Sequence, residues 1–170
     1  TKIANSVLSN DQAREMQTNL DKLSNWAKTW QMSFNTDKCK VLHLGYRNEK
    51  LNYIMDGNQL KCTDRENDLG VTISSNLKPS QQCSEVVKKA NRLVGFIGRS
   101  FEYKSRATII TLYSSLVRPI MEYCVQTRSQ YYQKDIVKLE RVERRVTKMI
   151  PSLRNKTYEE RLKELDLFPL

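Results

Sequence analysis

The hydrophobic pattern of the chain changes once, near residue 78. Before that point a single helical segment is followed by short apolar runs between turn residues, which is typical of β-strands. After it, apolar residues recur every three or four positions, as in a helix with one buried face. The 170 residues suffice for one ordinary domain or two small lobes. The pattern predicts an α+β fold, mostly α, with a mixed part at 1–78 and a helical bundle at 79–170.

The first part is predicted to contain one helix and four short strands. Apolar side chains spaced by three and four predict a helix over residues 9–32, with Trp26 and Trp30 expected in its core-facing side. Asp56-Gly57 lies between two of the strands, and this dipeptide tolerates the positive φ angles of a tight hairpin turn. The strands are expected at residues 39–45, 51–55, 59–63 and 69–74.

The second part is predicted to be helical throughout. Proline in the first turn and serine or threonine at the cap are the usual signals that begin a helix. These signals and the apolar spacing predict four helices: one beginning at Pro79 and Ser80, one from about Ser105 that Pro119 kinks or ends, one over about 134–150, and one beginning with the capping box Thr157-x-x-Glu160.

Positive charge is concentrated in the second part. The chain carries 29 Lys and Arg against 19 Asp and Glu, for a formal net charge of +10. Residues 1–78 contribute +2, from 11 basic and 9 acidic side chains, and residues 79–170 contribute +8, from 18 and 10. Such an excess favours a polyanionic partner. The alternative is a basic surface that only keeps the chain soluble.

Two of the predicted helices carry the candidate binding residues. In the helix over 134–150, five basic residues recur every three or four positions and therefore lie along one stripe. Glu140 and Glu143 lie beside the stripe, so intrahelical ion pairs and a solvated face are the alternatives to phosphate binding. The candidate nucleic-acid-binding residues on the two helices are Lys88, Lys89, Arg92, Arg99, Lys138, Arg141, Arg144, Arg145 and Lys148.

The sequence offers no convincing set of catalytic residues for an enzyme of this length. It has no glycine-rich phosphate loop. Its single histidine, His43, lies in an apolar strand, where a structural role is favoured. Asp64, Glu66 and Asp68 fall in a predicted loop; their spacing would allow contact with a metal ion, but a solvated turn is favoured. We therefore assign no metal site.

The four cysteines also argue against a metal site. Cys39, Cys62, Cys83 and Cys124 lack the Cys-x-x-Cys spacing of zinc sites. Without a secretory signal a disulfide framework is poorly supported, so we expect reduced thiols, most of them in the core, and an intracellular location in cytoplasm or nucleus. No apolar run is long enough to cross a bilayer, and no membrane partner is expected.

Several segments of the chain form a distinctive series. The first is Trp30-Gln31-Met32-x-Phe34-Asn35-x-x-Lys38-Cys39-Lys40-Val41-x-His43-x-Gly45, followed by a hairpin and Asp68-Leu69-Gly70-Val71. The later segments are Ser115-Leu116-Val117-Arg118-Pro119, Glu122-Tyr123-Cys124, Leu139-Glu140-Arg141-Val142, Arg144-Arg145 and Thr147-Lys148-Met149-Ile150-Pro151. In order and spacing they resemble the reverse transcriptases of LINE-type, non-LTR retrotransposons. The resemblance implies the end of an antiparallel palm with a hairpin at 1–78 and a thumb-like helical bundle at 79–170.

The resemblance also implies roles for particular residues in an RNA-directed DNA polymerase. In that family paired palm aspartates hold Mg²⁺ and precede a segment like Thr1-Lys2-Ile3-Ala4, so this chain is expected to bind no cofactor and to catalyse nothing alone. Lys38 matches a lysine that can act as a general acid on the leaving pyrophosphate; the alternative is an exposed lysine near a strand start. Leu69, Gly70 and Val71 match the primer grip.

The implied partners are RNA or an RNA/DNA hybrid, bound through phosphates by the basic helices, and the rest of the polymerase, its fingers and palm. One segment departs from the family, since Thr127-Arg128-Ser129-Gln130 stands where relatives carry Ala-Trp-Ser-Pro. Two alternatives therefore stay open: a co-opted nucleic-acid-binding module and a non-functional remnant of an element.

Overall fold

The computed structural model describes residues 2–7, 9–46, 48–125 and 132–168. The departure from the family at 127–130 lies outside these residues. The chain divides into two units, Thr1–Lys78 and Pro79–Leu170, on either side of the change in hydrophobic period. Helices hold about 55% of the described residues and strands 11%. The prediction of an α+β fold that is mostly α is confirmed.

One long helix, α1 (Asn10–Thr29), packs against the strands of the first unit. The side chain of Gln17 holds both backbone polar groups of Ile54: its amide donates to the carbonyl at 2.7 Å and its carbonyl accepts from the N–H at 3.0 Å. These bonds fix α1 against the nearby hairpin. The apolar core between them is small, with four buried members: Leu20, Tyr53, Met55 and Leu60.

Both tryptophans of α1 lie at the surface, so the prediction that they belong to the core is wrong. Trp26 is 50% exposed and Trp30 is 65% exposed. The buried side of the helix carries Leu20, Ser24 and Ala27. Trp26 precedes Ala27 by one residue, which rotates its side chain about 100° away from that side. Trp30 follows the last helical residue as the C-cap.

Six short strands form three two-stranded sheets within the described part of the first unit. Strands β2 and β3, and likewise β5 and β6, pair antiparallel, whereas β1 and β4 pair parallel. The expectation of an antiparallel sheet is therefore wrong for β1, because the β2–β3 hairpin returns the chain to the start of that strand. The strands are β1 (Lys40–Leu42), β2 (Ile54–Met55), β3 (Asn58–Gln59), β4 (Lys61–Thr63), β5 (Arg65–Asp68) and β6 (Val71–Ser74).

Two hairpins turn through pairs of residues with positive φ. Asp56 and Gly57, at φ 49° and 77°, join β2 to β3 as predicted. Leu69 and Gly70, at φ 47° and 82°, join β5 to β6. Positive φ at both central residues is the mark of a type I′ turn, whose twist matches that of the flanking strands. The predicted strand over 69–74 is thus wrong at its start, since only Val71 onward is extended.

The second unit contains five α-helices in its described part. The predicted starts at Ser80, Ser105 and Thr157 are confirmed, and Thr157 forms the capping box with Glu160. The helical run continues through Pro119, although proline lacks the backbone N–H that an ordinary α-helical turn uses. The π-helical turn Tyr113–Val117 comes directly before, so Pro119 falls in the first turn of the helix that follows, where that N–H is not needed. The helices are α2 (Ser80–Ser100), α3 (Arg106–Leu112) with the π turn Tyr113–Val117, α4 (Arg118–Glu122), α5 (Gln133–Thr147) and α6 (Tyr158–Leu165).

A single apolar core holds the second unit together. Helices α2 and α5 supply half of its buried residues, and the π turn contributes Tyr113 and Val117, both fully buried. The predicted helix over 134–150 ends earlier, at Thr147. Ile150, three residues after the helix end, nevertheless stays in the core at 1% exposure. The core therefore fixes the two helices that carry the candidate binding residues.

Candidate nucleic-acid interface

Helices α2 and α5 lie side by side and run in the same direction. Three hydrogen bonds join residues whose numbers differ by 55, 54 and 54. A constant difference along both helices requires a parallel arrangement in fixed register. The bonds, with the donor first, are Ser80 to Asp135 at 2.5 Å, Lys138 to Ser84 at 3.4 Å, and Arg145 to Asn91 at 3.1 Å.

Asp135 anchors the first turn of α5. Its side chain is 2% exposed, and it accepts hydrogen bonds from Ser80 and, at 2.9 Å, from Lys138. Burial acts to raise the pKa of this carboxyl, but the bonds from Ser80 and Lys138 outweigh burial and hold the pKa below its usual value. The ionised carboxylate therefore keeps Lys138 at the contact between the two helices.

Three basic residues of α2 project beside this contact. Lys88 lies about one turn before Asn91, on the stripe that borders α5. At 3.6 residues per turn, Lys88, Arg92 and Arg99 lie within about 40° of one another around the helix axis. All three are exposed. Lys89 is exposed too, but it is rotated about 100° from Lys88, away from α5.

Three basic residues of α5, together with its C-cap Lys148, continue the charged surface. Lys138 and Arg145 border α2, as their hydrogen bonds show. Arg141 and Lys148 lie on the outward side, opposite the buried Leu139, and both are exposed. With a rise of 1.5 Å per residue, the row from Lys138 to Lys148 is about 15 Å long.

Arg144 lies apart from this row. It forms an ion pair with Glu140 at 3.3 Å, and its guanidinium carbon lies 4.2 Å from the centre of the Tyr158 ring on α6. Its charge is thus directed to the flank of α5 that faces α6. The intrahelical ion pair that the sequence left open as an alternative to phosphate binding therefore forms at Arg144, with Glu140.

The structure brings seven of the nine candidates onto one surface, which we call the basic face. Within the described residues, Lys138 is the one member that forms an ion pair, with Asp135. Arg145 donates to the neutral amide of Asn91 and keeps its charge. The excess charge predicted from sequence therefore lies together, largely unneutralised. The basic face consists of Lys88, Arg92, Arg99, Lys138, Arg141, Arg145 and Lys148.

Glu143 belongs to the interior, contrary to the prediction that it lies beside the basic stripe. It is completely buried, and its carboxylate accepts from the hydroxyl of Tyr113 at 2.9 Å and from that of Tyr158. Burial, and then the neighbouring carboxylate, raise the pKa of both tyrosines above the usual value, so both hydroxyls stay protonated donors. Its position one turn after Leu139 was the sequence signal for burial.

The candidate residues of the first unit lie at its surface. Lys38 is exposed at the end of the short 3₁₀ turn Thr36–Lys38 and forms no ion pair within the described residues. Leu69, 83% exposed, and Gly70 occupy the tip of the β5–β6 hairpin, where the Gly70 N–H donates to the side chain of Asn67 at 3.1 Å. Val71 begins strand β6. Their roles at a primer end stay predictions.

The acidic residues near this hairpin form ion pairs with lysines. Glu66 and Asp68 lie in strand β5, so the predicted loop is wrong. Glu66 pairs with Lys40 at 3.0 Å, and Asp68 pairs with Lys2. In the parts of the chain that the structure covers, no group of three His, Cys, Asp or Glu is placed to hold a metal ion.

The four cysteines, all within the described ranges, form no disulfide, and the prediction that most of them lie in the core is wrong. Cys83 is buried at 1% exposure, Cys39 and Cys124 are half-buried, and Cys62 is exposed. The other three cysteines lie in or next to short strands and helix ends, where one side of the backbone is exposed to solvent.

Comparisons with protein-family models, curated proteins and solved structures give no match to this chain. No helix in the described ranges combines the length and apolar character that crossing a bilayer requires.

Proposed function

We propose that the chain binds the phosphate backbone of an RNA/DNA hybrid or RNA duplex through the basic face, as the thumb-like part of a LINE-type reverse transcriptase. The observation that carries the proposal is the parallel register of α2 and α5, which places seven cations on one surface. Within the described residues, only one of the seven forms an ion pair. Neutralising phosphates with lysine and arginine releases counterions, and this release drives such binding.

The composition of the basic face favours contact with phosphates over recognition of base sequence. In an A-form RNA helix the major groove is deep and narrow, so side chains cannot reach the base edges that carry sequence information. The amide of Asn91, which lies at the centre of the face, already accepts from Arg145. The remaining groups are ammonium and guanidinium ions on exposed helical surface. Such contacts position a duplex and carry little sequence information.

The family resemblance gives this binding a place in a polymerase. The β5–β6 hairpin, with an exposed Leu69-Gly70 tip and no side chain at Gly70, suits close approach to a primer end. Lys38 is exposed at the end of the 3₁₀ turn that precedes β1, and it would supply a cation near the leaving pyrophosphate. Mg²⁺ and the catalytic aspartates belong to the rest of the polymerase, so the chain alone extends no primer.

A co-opted binding module is the alternative that a specific observation supports. The buried carboxylates Asp135 and Glu143 both have their hydrogen-bond donors in place. A buried carboxylate without donors would be costly, so these networks favour a second unit that folds and binds without the polymerase. Such a module would use the same basic face.

The proposal predicts binding that is indifferent to sequence. We expect labelled RNA/DNA hybrids of equal length and unrelated sequence to bind with affinities within about threefold of one another, because phosphate contacts are common to all of them. Fluorescence anisotropy at low salt measures these affinities. A preference of more than about tenfold for one sequence would contradict backbone binding. Absence of binding at low salt would leave the remnant of an element as the better description.

A further inference from the structure

Cys62 and His43 lie next to each other in the first unit. Strands β1 and β4 pair in parallel with Val41 opposite Cys62, and His43 follows the end of β1 directly. This register brings the Sγ atom of Cys62 to 3.6 Å from the Nε2 atom of His43. A thiol and an imidazole at that distance can share a proton.

The two side chains differ in exposure in the way that a reactive pair requires. His43 is 8% exposed, and its ring stacks on that of Tyr53, with centroids 6.3 Å apart and planes inclined by 29°. Cys62 is exposed. The imidazole is therefore held in place while the sulfur stays open to a reactant.

A cavity of about 430 Å³ opens beside the pair. Both Cys62 and His43 line it, together with polar side chains. The charged groups among its described lining residues are Lys50 and Asp64, and Tyr53 is the titratable group stacked on the imidazole. A cavity of this size accepts part or all of a small-molecule ligand. The Lys50 ammonium can pair with a carboxylate of such a molecule.

We propose that Cys62 is a thiol activated by His43 and that this site undergoes exchange with a small anionic disulfide of the glutathione class. His43 Nε2 takes the proton of Cys62 Sγ, and the thiolate attacks one sulfur of the disulfide. The disulfide bond of the reactant breaks as the new bond to Cys62 forms. The released half leaves as a thiolate, which takes up the proton from the His43 imidazolium.

The first test compares alkylation rates by iodoacetamide at pH 7, read for each cysteine by peptide mapping. Cys39 is the reference thiol, because its half-buried sulfur donates to a backbone carbonyl, that of Asn35 at 3.3 Å, and not to an imidazole. In the native chain Cys62 should react about tenfold faster than Cys39, since an ordinary thiol is only a few per cent ionised at pH 7. Cys62 should also react about tenfold slower in concentrated urea, which separates the pair.

A thiol that is merely accessible would react equally fast or faster in urea, and that result would overturn the activation by His43. Because this comparison uses the unmodified chain, it stands even where a variant fails to fold. In a folded His43→Gln variant, checked by circular dichroism, the rate at Cys62 should fall about tenfold, as it does in urea. An unchanged rate would likewise overturn the proposal.

The second test uses oxidised glutathione as the probe. Intact mass spectrometry should show one glutathionyl group per chain, mapped to Cys62, with the Cys62→Ser variant unmodified and Lys50→Gln modified several-fold more slowly. Rapid alkylation without glutathionylation would overturn the assignment of a disulfide reactant. Modification of Cys39 and Cys124 to the same extent would overturn the assignment to this site.

Discussion

Replacing Glu143 with alanine is expected to lower the free energy of unfolding by about 3–5 kcal/mol. The substitution removes the acceptor of two tyrosine hydroxyls, those of Tyr113 and Tyr158. Tyr113 is fully buried, so water cannot replace the lost partner without opening the core. The missing carboxyl group also leaves a cavity between α5 and its neighbours, and that cavity adds to the cost.

Urea denaturation followed by circular dichroism measures this loss, because most helical residues of the described chain lie in the second unit. Glu140→Ala, one turn away on the same helix, is the matched control. Its ion pair with Arg144 lies at the surface, so we expect a loss below about 1 kcal/mol. Similar losses for the two variants would show that Glu143 is not the buried acceptor described above.

Replacing Arg141 and Lys148 with glutamine is expected to weaken duplex binding by about 50-fold at 0.1 M salt. Each phosphate contact makes the slope of log affinity against log salt concentration steeper by about 0.9. At 0.1 M salt, the loss of one contact therefore lowers the affinity about eightfold. Both side chains are exposed and form no ion pair within the described residues, so their removal leaves the core intact. Fluorescence anisotropy with an RNA/DNA hybrid measures the loss.

The matched control removes one arginine and one lysine from elsewhere in the same unit. Arg154 and Lys163 are exposed, lie outside α2 and α5, and form no ion pair within the covered residues. Arg154→Gln combined with Lys163→Gln should weaken binding by less than about threefold, through the change in net charge alone. Equal losses in the two double variants would mean that net charge, and not the basic face, drives binding.

Local sequence signals were sufficient where they act over a few residues. The turn at Asp56-Gly57 and the cap at Thr157 were predicted because each depends on the backbone within four positions. The turn at Leu69-Gly70 was missed because leucine before glycine looks like the start of a strand, although its φ of 47° is that of a turn residue. Propensity carries little information at such a position.

Long-range contacts decided the features that the sequence pattern missed. The parallel pairing of β1 with β4, and with it the approach of Cys62 to His43, depends on residues about 20 positions apart. The register of α2 against α5 depends on residues 54 positions apart. The pattern identified the basic residues of each helix separately, but whether they share one face follows from that register alone.

The measurement that tests the central claim most directly is the salt dependence of RNA/DNA hybrid binding by the unmodified chain. If the seven cations of the basic face contact phosphates, a plot of log affinity against log salt concentration is linear with a slope between about −4 and −6. The Arg141→Gln/Lys148→Gln variant should reduce the steepness by about 2. A slope near zero, or one that this variant leaves unchanged, would contradict phosphate binding by the basic face.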